Sequence, residues 1–212
     1  MKNILILGAG GQIAKHVIDL LLKSKNNNLT LFLRRAKGLA KGHASKARVI
    51  EGDVMDSKKL QEAMQGQQVV YANLAGNLDK QAKNIVMAMQ ESGVKRLIFI
   101  TSLGIYDEVP GEFGKWNKNE IGDMTHSPYR KAADIIEASD LDYTILRPAW
   151  LSDDNEIDYE TTQKNEPFKG TEVSRKSVAA LVVKLIDNPK LDIRKNLGVN
   201  KPNTDGDKPS FY

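Results

Sequence analysis

Residues 4–14 read Ile-Leu-Ile-Leu-Gly-Ala-Gly-Gly-Gln-Ile-Ala, and an apolar period continues from them through Val17, Ile18, Leu20 and Leu21. That order predicts a buried strand, a tight glycine turn and an amphipathic helix. Gly8 lets the chain turn sharply at the strand end, and Gly10 and Gly11 let backbone amides approach a phosphate with no side chain in the way. Ala14 is small enough for close helix-to-strand packing. A helix beginning near Gln12 and Ile13 aims unpaired N–H groups at an anion. Glycines alone would make only a turn; the strand before them and the helix after them make the stretch a cradle for a dinucleotide pyrophosphate.

The next apolar run, Leu29–Leu33, ends on Arg34 and Arg35, where an NAD-binding chain normally carries an acidic residue for the ribose 2′-hydroxyl. A carboxylate there repels a 2′-phosphate, whereas a guanidinium holds one through parallel charge-assisted hydrogen bonds and stacks on adenine. The expected cofactor is therefore NADP(H) in preference to NAD(H). Lys37, Lys41, Lys46 and Arg48 make the neighbourhood basic in any case, so a solvated basic loop is the competing reading.

The rest of the chain alternates short aliphatic strands with amphipathic helices. Strands are expected at Ile4–Leu7, Leu29–Leu33, Val49–Glu51, Val69–Leu74, Leu97–Thr101, Tyr143–Arg147 and Leu197–Val199, with helices at Gln12–Lys23, Lys58–Met64, Lys80–Ser92, Pro128–Ala138 and Lys176–Ile186. This is the signature of an α/β fold, a Rossmann-type doubly wound parallel sheet. With 212 residues and no internal repeat or linker, one domain is expected over residues 1–201, followed by an extended or flexible tail over 202–212. Any substrate region must come from loops.

In such a sheet ligands lie across the carboxyl ends of the strands, which sets where to look. After the third strand, Asp53 can accept from the adenine amino group and Val54 can pack on the ring, although a turn aspartate reads equally well. Asp56, just before a helix, reads as a cap. After the fourth strand, Asn73, Leu74, Ala75 and Gly76 provide small residues and backbone groups where the cofactor ribose would pass. Thr101 and Ser102 place hydroxyls at the end of the fifth, with Ser102 either polarising a substrate carbonyl or serving the turn. Pro148 gives a rigid exit from the sixth, beside the expected nicotinamide.

A net charge of +4 is modest and no RNA- or DNA-binding motif accompanies it, so nucleic acid is not an expected partner. The absence of cysteine excludes disulfides and thiol chemistry, and His16, His43 and His126 lack ligand spacing, so no metal site is expected. No apolar run reaches bilayer length, and the chain opens without a signal-peptide pattern, which leads to a cytoplasmic expectation with no membrane partner.

Three segments together resemble one family: Gly8–Ala14, Gly52-Asp53-Val54-Met55-Asp56, and Ser139-Asp140-Leu141-Asp142-Tyr143-Thr144-Ile145-Leu146-Arg147-Pro148. A fourth, Val173–Ala179, is similar to the same family's helix start. The chain resembles the atypical short-chain dehydrogenase/reductases, in the NmrA-like branch that also includes biliverdin IXβ/flavin reductase. The resemblance implies a Rossmann-type domain, NADP(H) and a small substrate region near the C-terminus.

Catalysis is where the chain departs from the wider family, whose usual members protonate substrate with a tyrosine assisted by a lysine one helical turn later. Tyr129 has Ala133 at that place, and Lys131 lies roughly 200° around the helix. Tyr129 is either an unassisted proton donor or a partly buried structural residue. Residues 106–125 lack a period and carry Pro110, Gly111, Gly114 and Gly122, which predicts a long irregular loop. Its Phe113 and Trp116 either cover the nicotinamide or anchor the loop to the core or to a second subunit.

The function expected from these features is an NADPH-dependent reductase acting on a small conjugated acceptor such as a quinone or flavin. The alternative is a non-catalytic NADP(H)-binding redox sensor of the NmrA type. A small-molecule substrate is the expected partner, and a homo-oligomer is left open.

Overall fold

The computed structural model describes residues 1–212, excepting the side chain of Lys41 and the surroundings of Gly38. The first half runs β1 (Lys2–Leu7), α1 (Gln12–Leu21), β2 (Asn27–Leu33), a short 3-10 turn at Ala36–Gly38, α2 (Lys41–Ala44), β3 (Arg48–Glu51), α3 (Ser57–Met64), β4 (Val69–Ala72), α4 (Leu78–Ser92) and β5 (Arg96–Ile100). The second half adds α5 (Gly111–Ile121), α6 (Pro128–Glu137), β6 (Asp142–Pro148), β7 (Trp150–Ser152), β8 (Glu160–Thr162), β9 (Glu172–Ser174), α7 (Arg175–Asp187) and β10 (Lys195–Asn200).

Eight strands form one sheet in the order β3-β2-β1-β4-β5-β6-β10-β8. All neighbours pair in parallel except β8, which runs antiparallel to β10. The expected α/β class and doubly wound parallel sheet are present. The chain works outward from β1 to β3 and then crosses to β4, so the order reverses between β1 and β4, where such sheets open a crevice. Strands β7 and β9, not foreseen from the sequence, form a separate parallel pair.

Both faces of the sheet are covered, which is why its strands read as continuous aliphatic runs. Ile4 and Ile6 face the layer formed by α1 and α7, and Leu5 and Leu7 face the layer formed by α3, α4 and α6. Helix α1 buries Ile13, Ala14, Val17, Ile18 and Leu21; each large aliphatic side chain removed from water contributes roughly 1.5–3 kcal/mol. Asp56 caps α3 by accepting from Lys59 N–H at 3.1 Å, as its position before a helix predicts.

The loop expected over residues 106–125 is corrected: its centre is α5. Pro110 and Gly111 open that helix, and Gly114 is required because a Cβ there would meet the Val109 carbonyl oxygen at 2.1 Å. Phe113 is buried in the α1/α7 layer. Trp116 packs on Trp150 and on Tyr212 at centroid distances of 4.9 and 5.2 Å, and the Trp150 indole N–H donates to Asn117 at 2.9 Å. These aromatic rings anchor α5. In the 202–212 segment, Ser210 N–H donates to Glu172 at 2.6 Å, and Tyr212 packs edge-on against Trp150 at 5.1 Å.

Beside α6 the interior turns polar. Arg147 of β6 has no exposed surface and pairs with Glu108, whose side chain is 4% exposed. Arg147 also donates to Asn196 Oδ1 of β10 at 2.8 Å. Asn196 passes the network on to the Tyr106 hydroxyl at 2.8 Å and to Glu137 at 2.9 Å, and Lys164 closes it on Glu137 at 2.5 Å. Glu108 in addition accepts from the N–H groups of Gly104 and Tyr106 at 3.0 and 2.9 Å. It thereby fixes the turn that follows Ser102.

Burial works against ionising Glu137, but hydrogen bonds from Lys164, Asn196 and Tyr106 prevail and hold its pKa below the usual 4.5. A depressed carboxylate contributes stability above its unfolded pKa and loses it as pH falls through the folded value. Thermal melts from about pH 5 down to about pH 2 should therefore show a steeper acid loss in wild type than in Glu137→Gln. Equal slopes would exclude Glu137 from the acid limb.

Candidate functional site

At the reversal point between β1 and β4 lies a cavity of about 440 Å³, open to solvent. Of the residues expected to hold a cofactor, Gly8, Gly10, Gly11, Arg34, Arg35, Asp53, Val54, Leu74 and Ala75 line it together. Each comes from the carboxyl end of β1, β2, β3 or β4, so the parallel register of the sheet gathers them. Phe32, Leu33, Gly52, Asn73 and Gln81 also line the cavity. Asn73 and Gly52 follow β4 and β3 directly and belong to the strand-end segments that the sequence singles out; Gln81 lies one turn into α4 and carried no such signal.

The floor has the shape of a phosphate cradle. Gly8 has φ +78°, a conformation that L side chains rarely adopt, and a Cβ on it would fall 2.1 Å from the Asn73 carbonyl oxygen. A Cβ on Gly11 would fall 2.0 Å from the Asn73 side-chain amide nitrogen. Gly11 is also the N-cap of α1, and no side chain caps that helix, whose first turn contains no acidic residue. The first N–H groups of α1 thus keep their capacity for an anionic ligand. Gln12 supplies one of them from an exposed position, whereas the Ile13 side chain is buried.

At the other end of the cavity Arg34 and Arg35 are exposed, and neither makes an ion pair among the described residues. Asp53 serves its turn with one oxygen, which accepts from Met55 N–H at 2.9 Å, and also lines the cavity. Asp53 thus has the turn role and also faces the cavity, with its second oxygen not used by that turn. Val54 is buried beside it.

The expected residues on the far side divide differently. Gly76, Thr101, Ser102, Tyr129 and Pro148 do not line the cavity. Thr101 is buried and its hydroxyl donates to the Leu146 carbonyl at 3.1 Å, so it serves the sheet. Pro148 ends β6, and its carbonyl accepts from Leu103 N–H at 3.2 Å, tying the β5 turn to the β6 end. Ser102 is half-buried on that turn, and its hydroxyl has no hydrogen-bond partner among the described residues.

Tyr129 is half-buried against the core of the α3/α4/α6 layer. Ala133, which stands where the family's usual lysine would be, has no exposed surface, and Lys131 is exposed. Arg130 is committed to Asp134 at 2.8 Å and to the Ile105 carbonyl at 3.1 Å. Phe113 and Trp116 do not line this cavity.

A sheet wound in this order around a glycine cradle defines a Rossmann-type dinucleotide-binding protein. The chain belongs to the NAD(P)H-binding family, which matches residues 8–189. It is 52% identical to a Rossmann-fold NAD(P)-binding family protein of known structure from Shigella flexneri, with all of both chains covered and a TM-score of 0.86. It is 31% identical to a short-chain dehydrogenase/reductase from Veillonella parvula solved in complex with NADP, with 99% of both chains covered and a TM-score of 0.91. Among curated proteins it is similar to the uncharacterized sugar epimerase YhfK of Bacillus subtilis, 25% identical over 205 residues and 91% of each chain. The resemblance to the atypical short-chain dehydrogenase/reductases stands with these matches, and among the described residues no helix is long and apolar enough to cross a membrane.

Proposed function

We propose that the protein is an NADPH-dependent reductase of the NmrA-like branch that passes hydride to a small conjugated acceptor such as a quinone or a flavin ring. The observation that carries this reading is the single cavity joining the glycine cradle to two unpaired arginines at the β2 end. The NADP complex of the 31%-identical Veillonella protein supports it. Bound NADPH supplies hydride from the nicotinamide C4.

The chain's own residues then bind and orient. The α1 amides and the glycine loop take the pyrophosphate, Arg34 and Arg35 take the 2′-phosphate, and Asp53, Val54, Leu74 and Ala75 flank the adenosine. Ser102, with an uncommitted hydroxyl beside the β5 end, is assigned to the acceptor oxygen, and Tyr129 is left without an assisting lysine. A site so short of acid catalysis suits an acceptor that needs little help with protonation, and its contribution is orientation and exclusion of water.

The test follows NADPH oxidation by its absorbance with a series of quinones and flavins. Turnover faster with NADPH than with NADH is expected. Tight NADPH binding with no turnover on any acceptor would overturn the reading.

That outcome would favour a second reading, a redox sensor without turnover, for which the buried Ala133 in place of the lysine speaks. A sensor must bind NADP⁺ and NADPH with different affinities, because a ligand that binds two states equally shifts neither. Equal affinities together with turnover would remove it.

A further inference from the structure

The end of the cavity that presents Arg34 and Arg35 also carries a carboxylate. Glu51 is the last residue of β3 and pairs in register with Leu33, immediately before the arginines. One of its carboxylate oxygens accepts from Ala36 N–H at 2.5 Å, directly after Arg35 in the chain. Lys59 reaches the Glu51 backbone carbonyl at 2.9 Å, and among the described residues the carboxylate itself has no ion-pair partner within 4.0 Å. The side chain is exposed and does not itself line the cavity, but its chain neighbour Gly52 does, as do Arg34 and Arg35, which precede Ala36.

We infer that Glu51 sets the balance between the phosphorylated and the unphosphorylated dinucleotide, working against Arg34 and Arg35. The inference rests on the reading of this end of the cavity as the 2′-phosphate site. A phosphate monoester brings roughly −1.5 to −2 charges and three strong acceptors. The two guanidiniums line the cavity, and the next amide along the chain, that of Ala36, is held by Glu51.

Binding the phosphorylated form therefore brings a second anion toward the Glu51 carboxylate, which its bond to Ala36 N–H holds close to the arginines. An unphosphorylated ribose brings none. It leaves Glu51 in place, where the second carboxylate oxygen can accept from the 2′-hydroxyl, as an acidic residue at the β2 end does in NAD-binding proteins. Two arginines and one carboxylate thus pull the selectivity in opposite directions from adjacent strand ends.

The experiment is calorimetric titration of wild type, Glu51→Gln and Glu51→Ala with adenosine 2′,5′-bisphosphate and adenosine 5′-monophosphate, with a thermal melt of each variant. Both substitutions should tighten the bisphosphate about three- to tenfold and leave the monophosphate unchanged or weaker. The gain should shrink at high salt, since the opposing charge is exposed. An unchanged or reduced bisphosphate-to-monophosphate ratio in both variants would overturn the role of Glu51 while leaving the cofactor reading intact. If wild type binds neither nucleotide, the cofactor reading fails and the inference with it.

Discussion

Arg147→Ala should destabilise the protein by about 3–5 kcal/mol, a large share of the roughly 5–15 kcal/mol that hold a typical domain folded. Arg147 is fully enclosed and Glu108 nearly so. Removing the guanidinium leaves the Glu108 carboxylate buried without its counter-charge and takes a donor from Asn196. Denaturant unfolding should show the midpoint fall accordingly, and for a chain of this size each kcal/mol corresponds to roughly 2–4 °C in melting temperature.

The double variant Arg147→Met/Glu108→Gln removes both charges and should recover part of that loss, because the cost lies in stranding one charge more than in losing the pair. A loss below about 1 kcal/mol for Arg147→Ala would mean that Glu108 reaches water and that the pair does not organise the interior.

The largest effect on binding is expected from the arginines at the β2 end. Arg34→Ala and Arg35→Asp should each weaken NADPH about tenfold or more, and together roughly a hundredfold, while NADH binding moves by no more than about twofold. The asymmetry is the informative quantity, since only the phosphorylated form offers these side chains an anion. Titration by fluorescence or calorimetry at two salt concentrations reads it directly, and the NADPH advantage should narrow as salt rises. If both dinucleotides weaken equally, the arginines support the adenosine in general and the 2′-phosphate assignment is wrong.

Much of this half of the molecule was legible beforehand because its logic is local. A strand that ends in glycine, a helix that follows, and a charged pair at the next strand end are each contained in a few adjacent residues, and a parallel sheet places such strand ends side by side. That is why Gly8, Arg34, Asp53 and Leu74 meet in one cavity although 66 positions separate the first from the last. The other half depends on partners far apart in sequence. Arg147 lies 39 residues from Glu108 and 49 from Asn196, and nothing in its own neighbourhood marks it as buried.

Helix α5 was hidden for a different reason. Its glycines and proline imitate a loop, whereas Gly114 is there because Val109 leaves no room for a side chain. The inward face was nonetheless present in Phe113, Trp116 and Asn117, spaced three and four apart, with Phe113 and Asn117 buried and the Asn117 amide oxygen taken by Trp150. Thr101 shows the opposite error: a strand-end hydroxyl that looked free is turned into the sheet.

The order of strands has a consequence for how the molecule is made. Every residue lining the cavity lies between Gly8 and Gln81. The polar interior around Arg147, in contrast, takes Asn196 from β10, the last strand in chain order, which inserts between β6 and β8. During synthesis the nucleotide cradle can assemble, and Arg147 can pair with Glu108, before Asn196 has left the ribosome. Until β10 docks, the growing chain can hold a formed cofactor cleft while the Arg147–Glu108 pair still lacks Asn196 and the strand that encloses it, and that interval is the one in which the sheet edge beyond β6 is most open to aggregation.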